Sequence, residues 1–302
     1  MTEPQPESVP DTLALTDLPG LFQAADAASG LGQRTFFRST SLRLGLAVLA
    51  AISGAVSIRV GSRGGDVAAA VTSLAFVGVL VVDVFDLQAR PGVGWYEGRA
   101  LAESVKTLSW RFAVGGAPFP VTLEPGLAER LFLNRLAELL RDLPAVVTAP
   151  SLAPAISATM RRLRATELAD RQLAYLSGRI ADQQKWYADR AVQHARRARQ
   201  LQIAGLLLEV VGVAAALGEF VHLFSFDLAG IVAAMIAAIA AWAAGKQYGA
   251  NAAAYSLAGH ELAIIHTRLD QPLTEPEWSN QVADAEDAVS REHTTWRASH
   301  RH

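Results

Sequence analysis

The sequence predicts an all-α integral membrane protein, in which two tandem transmembrane helical hairpins give four spans and long cytoplasmic helices complete the chain. Three observations carry this prediction. Of the 302 residues, 51% are apolar and only 19% are charged, against about 25% charged in an ordinary soluble protein. The apolar excess is concentrated in four runs of 15 to 18 residues, at 44–58, 67–82, 201–217 and 228–245. Lysine and arginine gather on one side of those runs and avoid the other.

The chain opens on a segment predicted to be a disordered acidic tail over residues 1–24. Met1 to Gly20 holds Glu3, Glu7, Asp11 and Asp17, four prolines and no basic residue. That is the reverse of a secretory signal, so the first span is expected to act as its own targeting signal. The run 44–58 follows between Arg43 and Arg59, and the run 67–82 ends before Asp83. Runs of this length lie at the short end of what spans a bilayer, where about 20 residues cover a core of roughly 30 Å. Flanking arginines extend the effective length by snorkelling. The competing reading, four buried helices of a soluble protein, is disfavoured because a chain of this size has little interior in which to hide them. The glycine-rich Gly61-Ser62-Arg63-Gly64-Gly65 joins the first two runs and lacks the lysine of a phosphate loop, so it reads as a hairpin turn.

After the first hairpin a returning helix begins near Trp95, and Pro118-Phe119-Pro120 breaks it. Glu124-Pro125 then opens an amphipathic helix with Leu127, Leu131, Leu136, Leu139, Leu140 and Leu143 toward one side, and Pro144, Pro150 and Pro154 mark a linker. No proline occurs from Ala155 to Asp270. An uninterrupted helix is therefore expected from Ile156 into the third span, with Leu163, Leu173, Leu176, Ile180 and Tyr187 packing on other helices. The run 201–217 contains one charge, Glu209, and 228–245 contains none. Thr274-Glu275-Pro276-Glu277 is a capping box with proline in the first turn, followed by Trp278, Val282, Ala285 and Val289 at helical spacing. It predicts a short terminal helix packed on the cytoplasmic bundle.

The two hairpins repeat. An offset of 158 carries 44–58 into the third run and 67–82 onto the fourth, and superposes Ala100 on Ala258 and Glu103 on Glu261. Both hairpins enter from the same side, so the repeat is parallel, which disfavours an inverted-repeat transporter. With both termini inside, the flanks 31–43, 83–112, 185–199 and 245–268 hold 14 Lys or Arg, while the loops 59–66 and 218–227 hold 2. This places both termini in the cytoplasm of a multi-pass inner-membrane protein, with Arg196, Arg197 and Arg199 as the strongest topology anchors.

Function classes drop out on the same residues. The absence of cysteine removes disulfides and thiolate chemistry, and a net charge of -2 gives no bulk attraction to nucleic acid. Only three of 27 basic residues are lysine, a skew that fits a GC-rich genome. No Walker loop, GxSxG, HExxH or dinucleotide fingerprint is present, so neither an enzyme nor a cofactor is expected. His293, His300 and His302 lack ligand spacing, and no metal is expected. Phe85, Phe220, Trp242 and Tyr248 lie at span ends as an interfacial belt, whereas Trp95, Trp110 and Trp186 are expected to pack cytoplasmic helices. Gly45, Gly54, Gly205 and Gly212 could permit close helix contact. Glu209 is the candidate intramembrane polar residue, and it admits two readings. One is a pore-lining or proton-linked role; the other is a structural carboxyl, protonated by burial or reaching a neighbouring helix.

A helix entering a two-segment hairpin, followed by a returning helix like Trp95-Tyr96-Glu97-Gly98-Arg99 through Leu108-Ser109-Trp110, resembles the SLATT domain, the two-transmembrane effector domain associated with SMODS and SLOG proteins. The second unit, Tyr187 through Arg268, is similar, so the chain resembles the tandem members. The likeness covers residues 25–115 and 160–290, separated by a cytoplasmic helix and linker at 116–159 and followed by a tail at 291–302. It implies a bacterial membrane effector of conflict or defence systems, forming a homo-oligomer in the lipid bilayer and opening a pore or otherwise permeabilising the inner membrane. It supplies no catalytic residues. The chain carries no recognisable nucleotide sensor, which points to a separate signalling partner. The alternative is a non-conducting membrane scaffold whose cytoplasmic helices recruit a partner protein.

Overall fold

The computed structural model describes residues 12–56, 66–141 and 151–299, and side chains to residue 290. The chain before residue 12, the predicted hairpin turn with Arg59, Arg63 and Gly61 to Gly65, Leu143 of the predicted amphipathic stripe, Pro144 and Pro150 of the predicted linker, and His300 and His302 lie outside the described residues. Ten α-helices carry the described chain, with no strand among them: α1 (Gly20–Gly54), α2 (Val67–Ala89), α3 (Pro91–Val114), α4 (Pro125–Arg141), α5 (Ala158–Arg164), α6 (Leu168–Tyr175), α7 (Asp182–Phe220), α8 (Leu228–Lys246), α9 (Tyr248–Leu269) and α10 (Glu275–Ser299). Four stretches are long and apolar enough to cross a membrane, within α1, α2–α3, α6–α7 and α8–α9.

Two compact units share the chain in alternation. One comprises Met1–Gly32, Val93–Asp189 and Ala254–His302; the other comprises Gln33–Gly92 and Arg190–Ala253. The first unit has an ordinary apolar core. Trp110, Phe112, Phe119, Phe132, Met160, Tyr175 and Trp278 are fully buried in it; the rings of Trp110, Tyr175 and Trp278, and those of Phe112, Phe119 and Phe132, meet edge-on or tilted at 4.9 to 6.0 Å. Large rings dominate here because each removes the most apolar area from water for the fewest rotatable bonds.

The second unit is patterned the other way. Its buried residues are mostly small: Ser39, Ala50, Ser53, Ala68, Ala75 and Ala215, with Val82 and Val232. Its large side chains face outward, Leu74, Phe76, Leu80 and Val81 on α2 and Leu206, Leu207, Val210 and Val213 on α7. Small residues between helices and large apolar residues outside are what hydrocarbon solvent selects. In water the same surface would be a large exposed apolar patch.

The internal repeat is visible in the element boundaries and caps. Shifted by 158, α2 and α3 fall within three residues of α8 and α9 at every end. Both second spans start on an aspartate, Asp66 accepting from the Ala68 and Ala69 amides and Asp227 from the Gly230 amide. Both end on a non-glycine residue in the left-handed region, Arg90 at φ 42° and Gln247 at φ 47°. Within the first unit, α3 approaches α1 closely through Gly98 at Ala25 and Ser29, and α9 approaches α7 through Gly259 at Tyr187. Ser29 and Tyr187 differ by the same 158.

Four expectations change. The described part of the acidic tail is ordered: Leu13, Leu18 and Phe22 are buried, and α1 already starts at Gly20. Apolar residues spaced among the acids anchor it. The helix expected from Ile156 is interrupted at 165–167, between α5 and α6. Thr166 donates its hydroxyl to the Leu163 carbonyl, and this side-chain bond competes with the helix ladder without any proline. A π-helical stretch, Leu176–Ala181, then precedes α7. The stripe on α4 is narrower than expected, since Ala128, Phe132 and Leu136 are buried while Leu127 and Leu140 are exposed, as is Leu173 on α6. The terminal helix α10 is not short but 25 residues long, and Trp278, Val282, Ala285 and Val289 form its buried face. Glu277 caps it, accepting from the Thr274 amide and hydroxyl.

Candidate functional site

All four spans of the membrane unit meet at one charged end. Arg43 of α1 pairs with Asp83 near the end of α2 at 3.5 Å. Phe37 of α1 meets Trp242 of α8 edge-on at 5.7 Å, and Lys246 places its ammonium 3.1 Å from the Phe37 ring centre. His194 of α7 lies 5.3 Å from Tyr248 of α9. The entries to α1 and α7 and the exits from α2 and α8 therefore share an end, the parallel arrangement that the repeat implies. Arg196, Arg197 and Arg199 stand exposed on α7 at that end, and Arg197 donates to Gln200 at 3.3 Å. Nearer the other end, α1 and α2 are joined by the Ser53 and Thr72 hydroxyls at 2.8 Å.

Glu209 lies ten residues beyond Arg199, about 15 Å along the helix at 1.5 Å per residue. That is mid-depth in a hydrocarbon core of roughly 30 Å. Its side chain is exposed on the outside of the four spans, beside Leu206, Val210 and Val213, which are 60%, 62% and 63% exposed. Among the described residues nothing pairs with it, so within one chain it neither reaches a neighbouring helix nor faces the interior. Gly205, one turn earlier on the same face, has open space where a Cβ would stand, as has Gly45, whereas Gly54 and Gly212 face Thr72 and Val232.

The other unit hides an ionic cluster that the sequence reading missed. Arg179 and Glu286 are 1% and 0% exposed. Arg179 Nε donates to Glu286 Oε1 at 2.9 Å and Nη2 to Oε2 at 2.8 Å. The Tyr175 hydroxyl donates to Oε1 at 3.0 Å and the Thr107 hydroxyl to Oε2 at 2.8 Å. Burial pushes the Glu286 carboxyl up, but the charge of Arg179 and these hydrogen bonds outweigh it and hold the group below its ordinary value. Arg171, also buried, donates to the Val114 carbonyl at 3.0 Å and pairs with Glu275. Arg164 reaches the carbonyls of Phe112, Phe119 and Pro120, satisfying chain that the end of α3 leaves open. The signal was present in the sequence: Glu286 falls on the same face of α10 as Val282 and Val289.

These groups serve the packing of the unit: Arg179 and Glu286 form a bidentate pair, and Arg171 and Arg164 cap backbone carbonyls. Among the described residues no cluster of histidine and carboxylate side chains could hold a metal ion. No curated protein and no solved structure matches the chain. Family models do. The SMODS and SLOG-associating 2TM effector domain 3 matches residues 19–172, and the SMODS and SLOG-associating 2TM effector domain 1 matches residues 175–296. The matches lie in tandem, each containing one hairpin with its returning helix, and SLATT domains are associated with bacterial conflict systems as effectors. The chain belongs to the SLATT family as a tandem, four-span member.

Proposed function

We propose that this protein is a non-catalytic effector of the bacterial inner membrane that assembles with further copies of itself and permeabilises the bilayer when a separate signalling partner activates it. The observation that carries the reading is Glu209, an exposed carboxyl at mid-depth on a face that is otherwise Leu206, Val210 and Val213. A carboxylate facing lipid there costs about 2.5 to 3.5 kcal/mol on insertion scales. Covering it with a second chain, or wetting it in a shared water path, removes that cost. Gly205 beside it leaves room for a neighbouring helix to approach. The 14 to 2 division of basic residues supports both termini in the cytoplasm.

The test is a membrane-potential dye assay after induction in cells, comparing wild type, Glu209→Gln and a deletion of residues 201–245. The reading expects depolarisation by wild type, none by the deletion, and altered conductance or toxicity for Glu209→Gln. Purified protein that never conducts in liposomes, with or without its partner, overturns it and leaves the scaffold role instead.

A further inference from the structure

The charged end of the membrane unit contains an open cleft of about 470 Å³ lined by Gln33, Arg34, Phe37, Arg38, Ser41 and Lys246. No carboxylate lines it, and none of its three basic side chains is paired with one among the described residues. Arg34 and Arg38 stand one turn apart on the exposed side of α1, so their guanidinium forks can address one anion together. Lys246 enters from the last residue of α8, its ammonium held over Phe37 and 5.1 Å from the Trp242 ring centre. The Ser41 hydroxyl already donates to the Phe37 carbonyl at 2.7 Å. The available donors are therefore the two guanidiniums, the ammonium and the Gln33 amide.

Three positive charges without a counter-charge, two of them planar forks, match a phosphate group. The depth of the cleft selects its source. Arg38 lies six residues, about 9 Å, before the apolar run that begins at Leu44, and Lys246 directly follows the apolar run of α8. Both positions are at headgroup level. The stripe of α1 that bears Arg34 and Arg38 continues as Leu42, Gly45 and Leu49; both leucines are exposed, and Gly45 has open space beside it. One helix face thus offers basic groups and then, at the same helical spacing, an exposed apolar track with open space at Gly45.

We propose that this cleft is a phosphate site that holds the headgroup of an anionic phospholipid, with an acyl chain along Leu42, Gly45 and Leu49. The site is independent of whether the assembly conducts, because its readout is binding. Full-length protein in neutral detergent micelles, supplied with equal phosphatidylglycerol and phosphatidylcholine, is examined by native mass spectrometry. Each basic residue near an anionic headgroup contributes about fivefold in affinity. Wild type should therefore retain phosphatidylglycerol in strong preference, and Arg34→Gln/Arg38→Gln should lower its retention about 25-fold. Lys246→Met, which keeps the packed stem on Phe37, should lower it about fivefold. Arg196→Gln/Arg197→Gln removes the same charge at the same end and should leave retention unchanged.

Inorganic phosphate distinguishes the two sources of the same chemistry. If millimolar phosphate leaves the lipid in place, the headgroup assignment stands; if phosphate strips the lipid from wild type, the cleft is a site for soluble phosphate and the headgroup assignment fails. Equal retention by wild type and Arg34→Gln/Arg38→Gln/Lys246→Gln overturns the proposal. So does an equal loss in Arg196→Gln/Arg197→Gln, which would reduce the cleft to part of a diffuse basic surface.

Discussion

Replacing Glu286 by glutamine keeps the shape of the side chain and removes its charge, and the environment makes that change expensive. Arg179 is 1% exposed and keeps its full charge, and both of its bonds to Glu286, at 2.9 and 2.8 Å, lose their ionic partner. The new amide also presents two N–H groups where Thr107 and Arg179 already donate, so at least one donor is turned on another donor. Breaking a buried pair from one side costs about 3 to 5 kcal/mol. Removing both charges together is cheaper, because no ion is then left in the interior; the remaining loss in Arg179→Met/Glu286→Met, about 1 to 3 kcal/mol, comes from the Tyr175 and Thr107 hydroxyls losing their acceptor. Unfolding of the full chain in micelles by urea can be followed through tryptophan fluorescence. Trp110 and Trp278 lie 5.8 and 5.7 Å from the Tyr175 ring and report on this core. A loss below about 1 kcal/mol for Glu286→Gln, or a double variant as damaged as the sum of the singles, would refute the assignment of this pair as the clamp of the unit.

The same carboxyl sets a pH dependence. Its folded value lies below its unfolded one, so its stabilisation is present above the ordinary carboxylate value of 4.5 and is lost as pH falls through the depressed value. Unfolding midpoints between pH 7 and pH 3 should show an acid loss in wild type that is smaller in Arg179→Met/Glu286→Met, which keeps only the depressed carboxyls elsewhere, such as Glu129 and Glu277. Gly98→Ala puts a methyl 2.9 Å from the Ser29 amide nitrogen and 3.0 Å from the Ala25 carbonyl, backbone that cannot swing aside. It should cost about 1 to 3 kcal/mol, whereas Gly259→Ala, 3.7 Å from Tyr187 Cβ, should be tolerated in the same urea assay. Asp66→Ala removes the cap of α2 and should destabilise its first turn by about 1 kcal/mol, read by amide exchange at Ala68 and Ala69.

The spans were legible because a run of apolar residues is a local property, and the boundaries of α2, α7 and α8 enclose the runs at 67–82, 201–217 and 228–245. The direction in which Glu209 points was not, because α7 is apolar on every side over that stretch and such a helix has no periodicity to mark its inner face. Pairing across the chain was equally hidden. Arg179 and Glu286 stand 107 residues apart, and Arg38 and Lys246 more than 200, so no local pattern reveals that either pair meets. Even so, a charge placed in register with Val282 and Val289 on an otherwise apolar face is a local signal that the residue is buried and paired.

The average composition conceals two opposite rules. In one unit Trp110, Tyr175 and Trp278 point inward and water stands outside; in the other Ala50, Ala68, Ala75 and Ser53 point inward and leucine, valine and phenylalanine stand outside. A substitution therefore has a different meaning in each. Enlarging Ala75 intrudes between helices, while shortening Leu80 merely changes what lipid or a second copy would touch. Shortening Phe132 opens a cavity, and a buried aromatic ring lost in this way costs about 3 to 5 kcal/mol. Glu209 breaks the second rule on the outward side, as Glu286 and Arg179 break the first on the inward side. The inward violation is met within the chain by four hydrogen bonds to the Glu286 carboxylate, which leave Arg179 Nη1 without a partner. The outward one finds no partner among the described residues, and that asymmetry is the physical ground for testing whether a second copy packs at α7.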